Sequence, residues 1–330
     1  MHAPGPAPRA VVCFGEALID FLAQPPLSAS APRQFAAFAG GAPANVAVAV
    51  ARLGGAARFV GMLGEDLFGE LLAGEFTRAG VDIGCAPRTA AARTALAFVA
   101  LDAHGERSFS FYRPPAADLM FRETHLSAPC FANAAVWHVC SNSLTEEPIA
   151  AATLAGMRRA RAAGALVSMD LNLRPSLWAA GTDPTPRLWA ALGEADLVKL
   201  AASELGFLAS ACGGSDAVLE RLFAARTRCV LVTDGAAPVR WCTPLAHGTV
   251  ATFTVAVLDS TAAGDAFVGG WLKSLVDAGV ERSNLAAWLH GPALQASVRF
   301  AAACGALATT RLGAFAAMPQ AHEVQLLLRS

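Results

Sequence analysis

The residue types that can do chemistry converge on Asp265. It closes Asp259-Ser260-Thr261-Ala262-Ala263-Gly264-Asp265, where a strand-like run from Val250 to Val257 passes through small residues into an apolar helical repeat that stops before Gly279. The start of a helix carries unpaired N–H groups and partial positive charge, so small residues there let a phosphate approach the backbone between Ala262 and Asp265. A carboxylate at such a site repels its ligand unless its task is to take a proton from an incoming hydroxyl. Asp265 therefore reads in two ways, as a general base beside a phosphate or as an ordinary helix cap.

A second glycine turn opens a helix at Gly40-Gly41-Ala42-Pro43-Ala44-Asn45, with proline suited to the first turn and Asn45 alone among alanines and valines. Rival phosphate motifs are missing: there is no G-x-x-x-x-G-K-[ST] loop, and Gly15-Glu16-Ala17-Leu18 stands where a dinucleotide fingerprint would follow the first strand. The chain has only two lysines, Lys199 and Lys273. Phosphate charge must then be met by backbone amides, Mg²⁺ and arginine.

Together the two stretches resemble the two signatures of the PfkB (ribokinase-like) family of carbohydrate kinases. The runs Phe14 to Phe21, Ser108 to Asp118 and Asp170 to Trp178 resemble its fructokinase branch, and the resemblance covers most of the chain. It implies one kinase domain over residues 1–330, of α/β ribokinase-like fold: a central, mainly parallel sheet flanked by helices, with a small β-sheet lid from segments near 20–38 and 94–113. The implied activity is transfer of the γ-phosphoryl group of MgATP to a primary sugar hydroxyl, with D-fructose the first choice. Kinases of 2-keto-3-deoxygluconate and of aminoimidazole riboside stay open, as does a sugar- and nucleotide-binding relative without catalysis.

Carried over by position, the resemblance makes Asp265 the general base beside Ala262, Ala263 and Gly264. It assigns the sugar to Asp20, Gly40, Gly41, Asn45, Phe98, Tyr112 and Arg174, and the chemistry agrees, since vicinal hydroxyls suit a carboxylate that accepts and an amide that also donates. It assigns the nucleotide to Lys199, Thr233, Asp234, Gly235, Ala236 and Gly264, indirect organisation of Mg²⁺ to Glu204, and a monovalent cation such as K⁺ to Asp259 as its candidate ligand. Four positions depart from the family pattern. Ala262 replaces glycine, Asp234 a hydrophobic residue, Pro238 a second glycine, and Ala201 an asparagine. A positive φ at Ala262 makes its methyl group cost about 1 kcal/mol, whereas a negative φ makes it harmless.

The surrounding chain must position these groups. At 330 residues and 55% hydrophobic it can bury a large core, and no apolar run reaches the roughly 18–20 residues of a membrane span. The short Met1 to Arg9 lead lacks a signal-peptide core, which reads as cytoplasmic. A net charge of −1 without a basic cluster excludes nucleic acid as partner. Eight scattered cysteines give neither a zinc site nor a disulfide framework, and His138 in an apolar run reads as a satisfied core residue.

Strands are expected at Val11 to Phe14, Phe35 to Phe38, Ala57 to Val60, Ala135 to Val139, Leu166 to Asp170, Leu197 to Leu200 and Cys229 to Thr233. Helices are expected at Pro43 to Leu53, Leu67 to Ala79, Pro148 to Ala163, Arg187 to Leu192, Ser203 to Ala211, Ala217 to Ala225, Asn284 to His290 and Leu294 to Leu307. Loops are expected from Pro25 to Pro32 and through Asp102 to Glu106, the latter joining Thr94 to Leu101 and Arg107 to Tyr112 in a hairpin. That hairpin interrupts the β/α alternation, and an apolar lid face predicts a homodimer.

Overall fold

Runs rich in Val, Leu and Cys with little polar alternation make strands that must be covered on both faces, and this chain builds its centre from them. The computed structural model describes residues 8–24, 32–101 and 107–329. Strands β1 (Ala10–Phe14), β2 (Leu18–Ala23), β3 (Phe35–Gly40), β4 (Ala57–Val60), β5 (Leu63–Gly64), β6 (Asp82–Cys85), β7 (Arg88–Thr89) and β8 (Ala95–Leu101) come first. They are followed by β9 (Arg107–Tyr112), β10 (Ala134–Cys140), β11 (Leu166–Asp170), β12 (Leu197–Ala201), β13 (Cys229–Thr233), β14 (Val239–Cys242) and β15 (His247–Val250). The helices are α1 (Ala42–Arg52), α2 (Leu67–Ala79), α3 (Ala128–Phe131), α4 (Glu147–Ala162), α5 (Thr185–Leu192) and α6 (Ala202–Cys212). They continue with α7 (Ser215–Ala224), α8 (Ala263–Asp277), α9 (Leu285–Leu289), α10 (Pro292–Ala308) and α11 (Ala321–Arg329).

The main sheet has the order β15-β14-β13-β12-β11-β10-β1-β4-β6, parallel from β13 through β6 and antiparallel at β14 and β15. Side chains alternate between two cores. Val11, Cys13, Leu197 and Leu231 face α1, α2, α8, α9 and α10, while Val12, Phe14, Val198 and Val230 face α3 to α7. A separate four-stranded sheet, β3-β2-β8-β9, stands off the main one as the lid, and β5 pairs with β7. Among the described residues no helix is long and apolar enough to cross a membrane.

Three features differ from the expected elements. The run from Val250 to Val257 is not a strand: β15 ends at Val250, because it is the edge of the sheet and no further strand lies beside the continuing chain. Instead Thr252 Oγ1 donates to the Ala236 carbonyl and Leu258 N to the Thr309 carbonyl. Second, β5, β6, β7 and the β14–β15 hairpin were not expected, being short or interrupted by polar and glycine residues, whereas β2 falls in the lid segment expected near 20–38. Third, α11 was not anticipated, although it buries Val324 beneath a polar face. The expected loops fall largely on residues 25–31 and 102–106, and the N-terminal lead on residues 1–7, all outside the described residues.

Helix α8 reaches its place through close helix packing against α1 and α10. A Cβ on Gly269 would lie 2.5 Å from Ala49 Cβ, and one on Gly270 2.6 Å from Cys304 Sγ. Gly269→Ala should therefore destabilise the protein by about 1–3 kcal/mol through overpacking. Gly74→Ala, on the exposed side of α2 with open space around it, should be stabilising by about 0.5–1 kcal/mol. Thermal unfolding of both variants checks this, and an unchanged midpoint for Gly269→Ala would show that the helices can slide apart at no cost.

Candidate functional site

In the main sheet β1 lies between β10 and β4, so the chain leaves β1 to fill one side and returns to fill the other. Such a reversal opens a crevice at the carboxyl ends of the strands. Here that crevice is a cleft of about 420 Å³. Its floor comes from residues at or just past strand ends: Glu16 after β1, Asn142 after β10, Asn172 after β11, Lys199 and Ala201 on β12, and Thr233 on β13. The starts of α1 and α8 form one wall, and Asp20 of β2 and Phe111 of β9 bring in the lid.

Asp265 is buried in the first turn of α8. Its Oδ2 accepts a hydrogen bond from Asn45 Nδ2 at 2.7 Å and its Oδ1 one from Asn172 Nδ2 at 3.1 Å. Its carboxylate bonds no helix amide: the N-cap is Ala262, and α8 has no side-chain cap. The geometry therefore removes the cap reading. Burial lifts the Asp265 carboxyl to about 6, against the Asn45 hydrogen bond and the charges of Lys199 and Arg174. A carboxyl held there is ionised at neutral pH yet close enough to it to receive a proton.

Ala262 has φ 58°, the left-handed conformation that favours glycine, so its methyl group is strained. The turn presents Gly264 to Lys199, whose Nζ would lie 3.1 Å from a Cβ added at Gly264. Gly264 and Asp265 lie in the first turn of α8, where amides have no intrahelical acceptor, while the Ala263 amide reaches the Ser260 carbonyl at 3.4 Å. Two donors without an intrahelical acceptor thus belong to residues that line the cleft.

Asp20 lines the same cleft and is buried. Burial first, then the charges of Asp265 and Asp259, push its carboxyl up to about 7, with Arg174 pulling the other way. Gly40 packs so closely on Asp20 that any side chain there would overlap its carboxylate. Gly41, with φ 108° and the Glu16 carbonyl 2.6 Å from where a Cβ would stand, is the N-cap of α1 and cannot be larger. Arg174 lines the cleft.

On the other side Lys199 forms a buried ion pair with Asp170 at 3.1 Å. Burial works against the ammonium, but Asp170, Glu204 and Asp265 together raise its pKa. Burial pushes the Asp170 carboxyl up while the adjacent ammonium pulls it down, and with Lys199 held protonated the pair is ionic. Glu204 also lines the cleft, with both oxygens accepting backbone amides, Oε1 from Leu173 at 2.8 Å and Oε2 from Ala201 at 2.7 Å. Each oxygen keeps a second lone pair.

Other expected residues stand apart. Asp234, Gly235 and Ala236 form an exposed turn after β13, outside the residues that line the cleft. Asp259 is buried and outside the cleft lining, its carboxylate accepting from Thr261 N at 2.8 Å and Gly313 N at 3.0 Å. In the lid, Asp20 pairs in register with Ala97 and Ala97 with Phe111, whereas Phe98 pairs with Phe21 and Ser110. Phe98 and Tyr112 therefore occupy the opposite lid face, where Phe98 meets Phe21 at 5.0 Å, Tyr112 at 5.3 Å and Phe35 at 5.5 Å. Phe111 is the aromatic side chain in the cleft.

Among the lining residues that went unassigned in the sequence, four carry charged or amide side chains. Glu16 Oε1 accepts from Asn142 Nδ2 at 2.9 Å and from Ala42 N at 3.2 Å, and buried Arg113 reaches the same cleft while pairing with Asp118 at 2.6 Å. Glu16 and Asn172 stood inside stretches already singled out, each the polar residue ending a buried strand. Arg113 likewise stood inside the Ser108 to Asp118 run, whereas Asn142 carried no such signal. His138, as expected, is a core residue: it bonds Ser168 Oγ at 3.0 Å, and burial lowers its pKa to about 3. Six of the eight free cysteines are buried.

Residues 8–321 match the pfkB family carbohydrate kinase. The chain is 42% identical over 328 residues to Fructokinase-1 of Oryza sativa subsp. japonica, covering 97% of this chain and 98% of that protein. Its fold superposes on the crystal structure of fructokinase with bound ATP from Xylella fastidiosa with a TM-score of 0.93 and 54% identity, over 97% of this chain and 98% of that one. It superposes on fructokinase from Vibrio cholerae O395, in its fructose, ADP and calcium ion bound form, with a TM-score of 0.84 and 33% identity over the same shares. With both glycine turns, both helix starts and the separate lid sheet inside the matched span, the chain belongs to the pfkB family of carbohydrate kinases and has its ribokinase-like α/β fold.

Proposed function

We propose that this protein is an ATP-dependent fructokinase in which Asp265 is the general base. The observation that carries the reading is a buried carboxylate clamped by two amides at a helix start that lines the cleft. Relatives support the substrates: the Xylella structure binds ATP and the Vibrio structure binds fructose and ADP, each over nearly the full length matched here.

In this reading the amides of Gly264 and Asp265 and the Lys199 ammonium receive the transferring phosphoryl group, and Asp20 and Arg174 hold sugar hydroxyls. The primary hydroxyl oxygen attacks phosphorus as the bond to the leaving ADP oxygen breaks, and the hydroxyl proton passes to Asp265. Asn45 and Asn172 fix the carboxylate so that a remaining lone pair faces the hydroxyl. Mg²⁺ needs only one or two protein carboxylates when phosphates supply the rest, and the lone pairs of Glu204 suit it through water. When bound, the ion neutralises charge on the phosphates. Asp234 to Ala236 and a monovalent cation at Asp259 belong to the same proposal, as the outer edge of the nucleotide site and a charge behind its turn.

The outer lid face, with Phe35 39% and Tyr112 67% exposed around Phe98, supports a homodimer closed through the lids. Free thiols throughout fit a reducing cytoplasm.

Asp265→Asn keeps size and leaves the fold in place, and kcat should fall by about 100-fold or more. In the parent enzyme kcat should also fall as pH drops through about 6, because a carboxyl with that pKa gains its proton there and can no longer accept one. A fully active Asp265→Asn enzyme in a coupled ADP-release assay would end the mechanism. Ala262→Gly relieves the left-handed strain and should stabilise the protein by about 1 kcal/mol, read as a higher thermal midpoint. A midpoint that falls would mean that the turn tolerates the methyl group. Light scattering at micromolar concentration should report a dimer, and a strict monomer would refute the lid-to-lid contact.

A further inference from the structure

The strands that end at the cleft frame a second cavity at their opposite ends. The last turn of α4 and residues just before the starts of β12 and β13 line it together with the segment that leads into α9: Arg161, Asp196, Arg226, Arg228, Arg282 and Ser283. Its volume is about 420 Å³. We infer that this cavity binds a small dianionic phosphoryl group, either inorganic phosphate or a low-molecular-weight phosphate monoester.

The first argument is the charge balance. Four of the chain's 25 basic residues meet here, in a protein whose net charge is −1. Arg161 is paired with Asp196 at 2.9 Å, and Arg226 lies 3.6 Å from Glu194, which Arg158 already holds at 2.8 Å. Arg228 and Arg282 have no carboxylate partner among the described residues. Their hydrogen bonds go to backbone carbonyls, from Arg228 to Thr227 at 3.2 Å and from Arg282 to Arg161 at 3.5 Å. Two guanidinium charges are thus left to repel each other and their neighbours, a cost that an anion between them reverses.

The second argument is preorganisation. Asp196 is fixed: its Oδ2 accepts from Val167 N at 2.8 Å while its Oδ1 holds Arg161. Arg161 is therefore locked in place with a side chain only 11% exposed, and its Nε is buried without any partner among the described residues. The third argument is residue type. The basic groups are all arginines, whose planar forks match phosphate oxygens two at a time. A concave pocket of this size encloses a small molecule, whereas a nucleic acid or an acidic protein calls for an extended basic face.

The test is thermal unfolding and titration calorimetry with inorganic phosphate and, separately, glycerol 3-phosphate, against sodium chloride at equal ionic strength. Saturating β,γ-imido-ATP keeps the probes out of the kinase cleft. Either probe should raise the midpoint above the chloride control and bind at one site per chain. The site-directed variant is Arg228→Gln/Arg282→Gln, which touches two exposed side chains bonded only to carbonyls and leaves the cleft intact. It should weaken binding by roughly 10-fold for each arginine lost, with kcat unchanged. Tighter binding of glycerol 3-phosphate assigns the site to esters, and tighter binding of inorganic phosphate to the free ion. Absence of any rise over chloride for both probes overturns the inference. So does a rise that persists in the double variant, or one lost equally in an Arg93→Gln/Arg240→Gln control that removes two exposed arginines elsewhere.

Discussion

A kinase cleft must admit a highly charged anion to the place where it also keeps an ionised carboxylate, and that conflict governs this structure. At 4 Å two like charges repel by about 4 kcal/mol even with an effective dielectric constant near 20. Lining the cleft are four carboxylates, Glu16, Asp20, Glu204 and Asp265, against three cations, Arg113, Arg174 and Lys199. The conflict is resolved locally, not by net charge. Glu16 is tied to Asn142 and the Ala42 amide, Glu204 to two backbone amides, and Asp265 to two side-chain amides, so three of the four carboxylates are held by donors before an anion arrives. The amides at the start of α8 then provide positive potential at no net charge.

This arrangement depends on how closely α1 and α8 approach. Asn45 comes from one helix and Asp265 from the other, and their 2.7 Å bond is possible because glycine lies at the helix crossing, with Ala49 of α1 against Gly269 of α8. Asn172 completes the clamp from the loop after β11, at φ 41°, a left-handed conformation that asparagine tolerates better than most residues. Three separate segments therefore converge on one carboxylate, and the parallel sheet holds them because each follows or abuts a strand in a single crevice.

Much of this was legible in the sequence, and what was not has physical causes. Asp265 and Asn45 could be found because each is a lone polar residue beside glycine or alanine at the start of a helix, whereas Asp20, between Ile19 and Phe21 inside β2, was placed by the family resemblance. Glu16 and Asn142 form a bond across 126 positions, and local periodicity contains nothing about such distant pairs. In the lid, strand existence was readable but the inward face was not. A shift of one residue exchanges the two faces, which is why Phe111 and not Phe98 or Tyr112 enters the cleft. The run after Val250 failed for a related reason: its composition suits a strand, but a strand also needs a neighbour, and the sheet ends there.

The scarcity of lysine is the remaining clue to how the site works. Lys273 is committed to Asp277 at the far end of α8, leaving Lys199 as the lysine in the cleft. A lone ammonium beside Asp170, Glu204 and Asp265 would be expected to collapse onto one of them and become unavailable. Here it does pair with Asp170, yet it also stands at the Gly264 turn, where a Cβ would lie 3.1 Å from its Nζ. The ion pair therefore works as an anchor: it keeps the charge ionised inside the protein and pins it at the strand end, beside the α8 turn proposed to receive phosphate. A longer and freer side chain on the surface would reach the same anion only after paying the entropy of ordering itself. Buried and pre-positioned, one lysine can serve where other phosphate sites use several basic groups, which is consistent with a chain that carries so few.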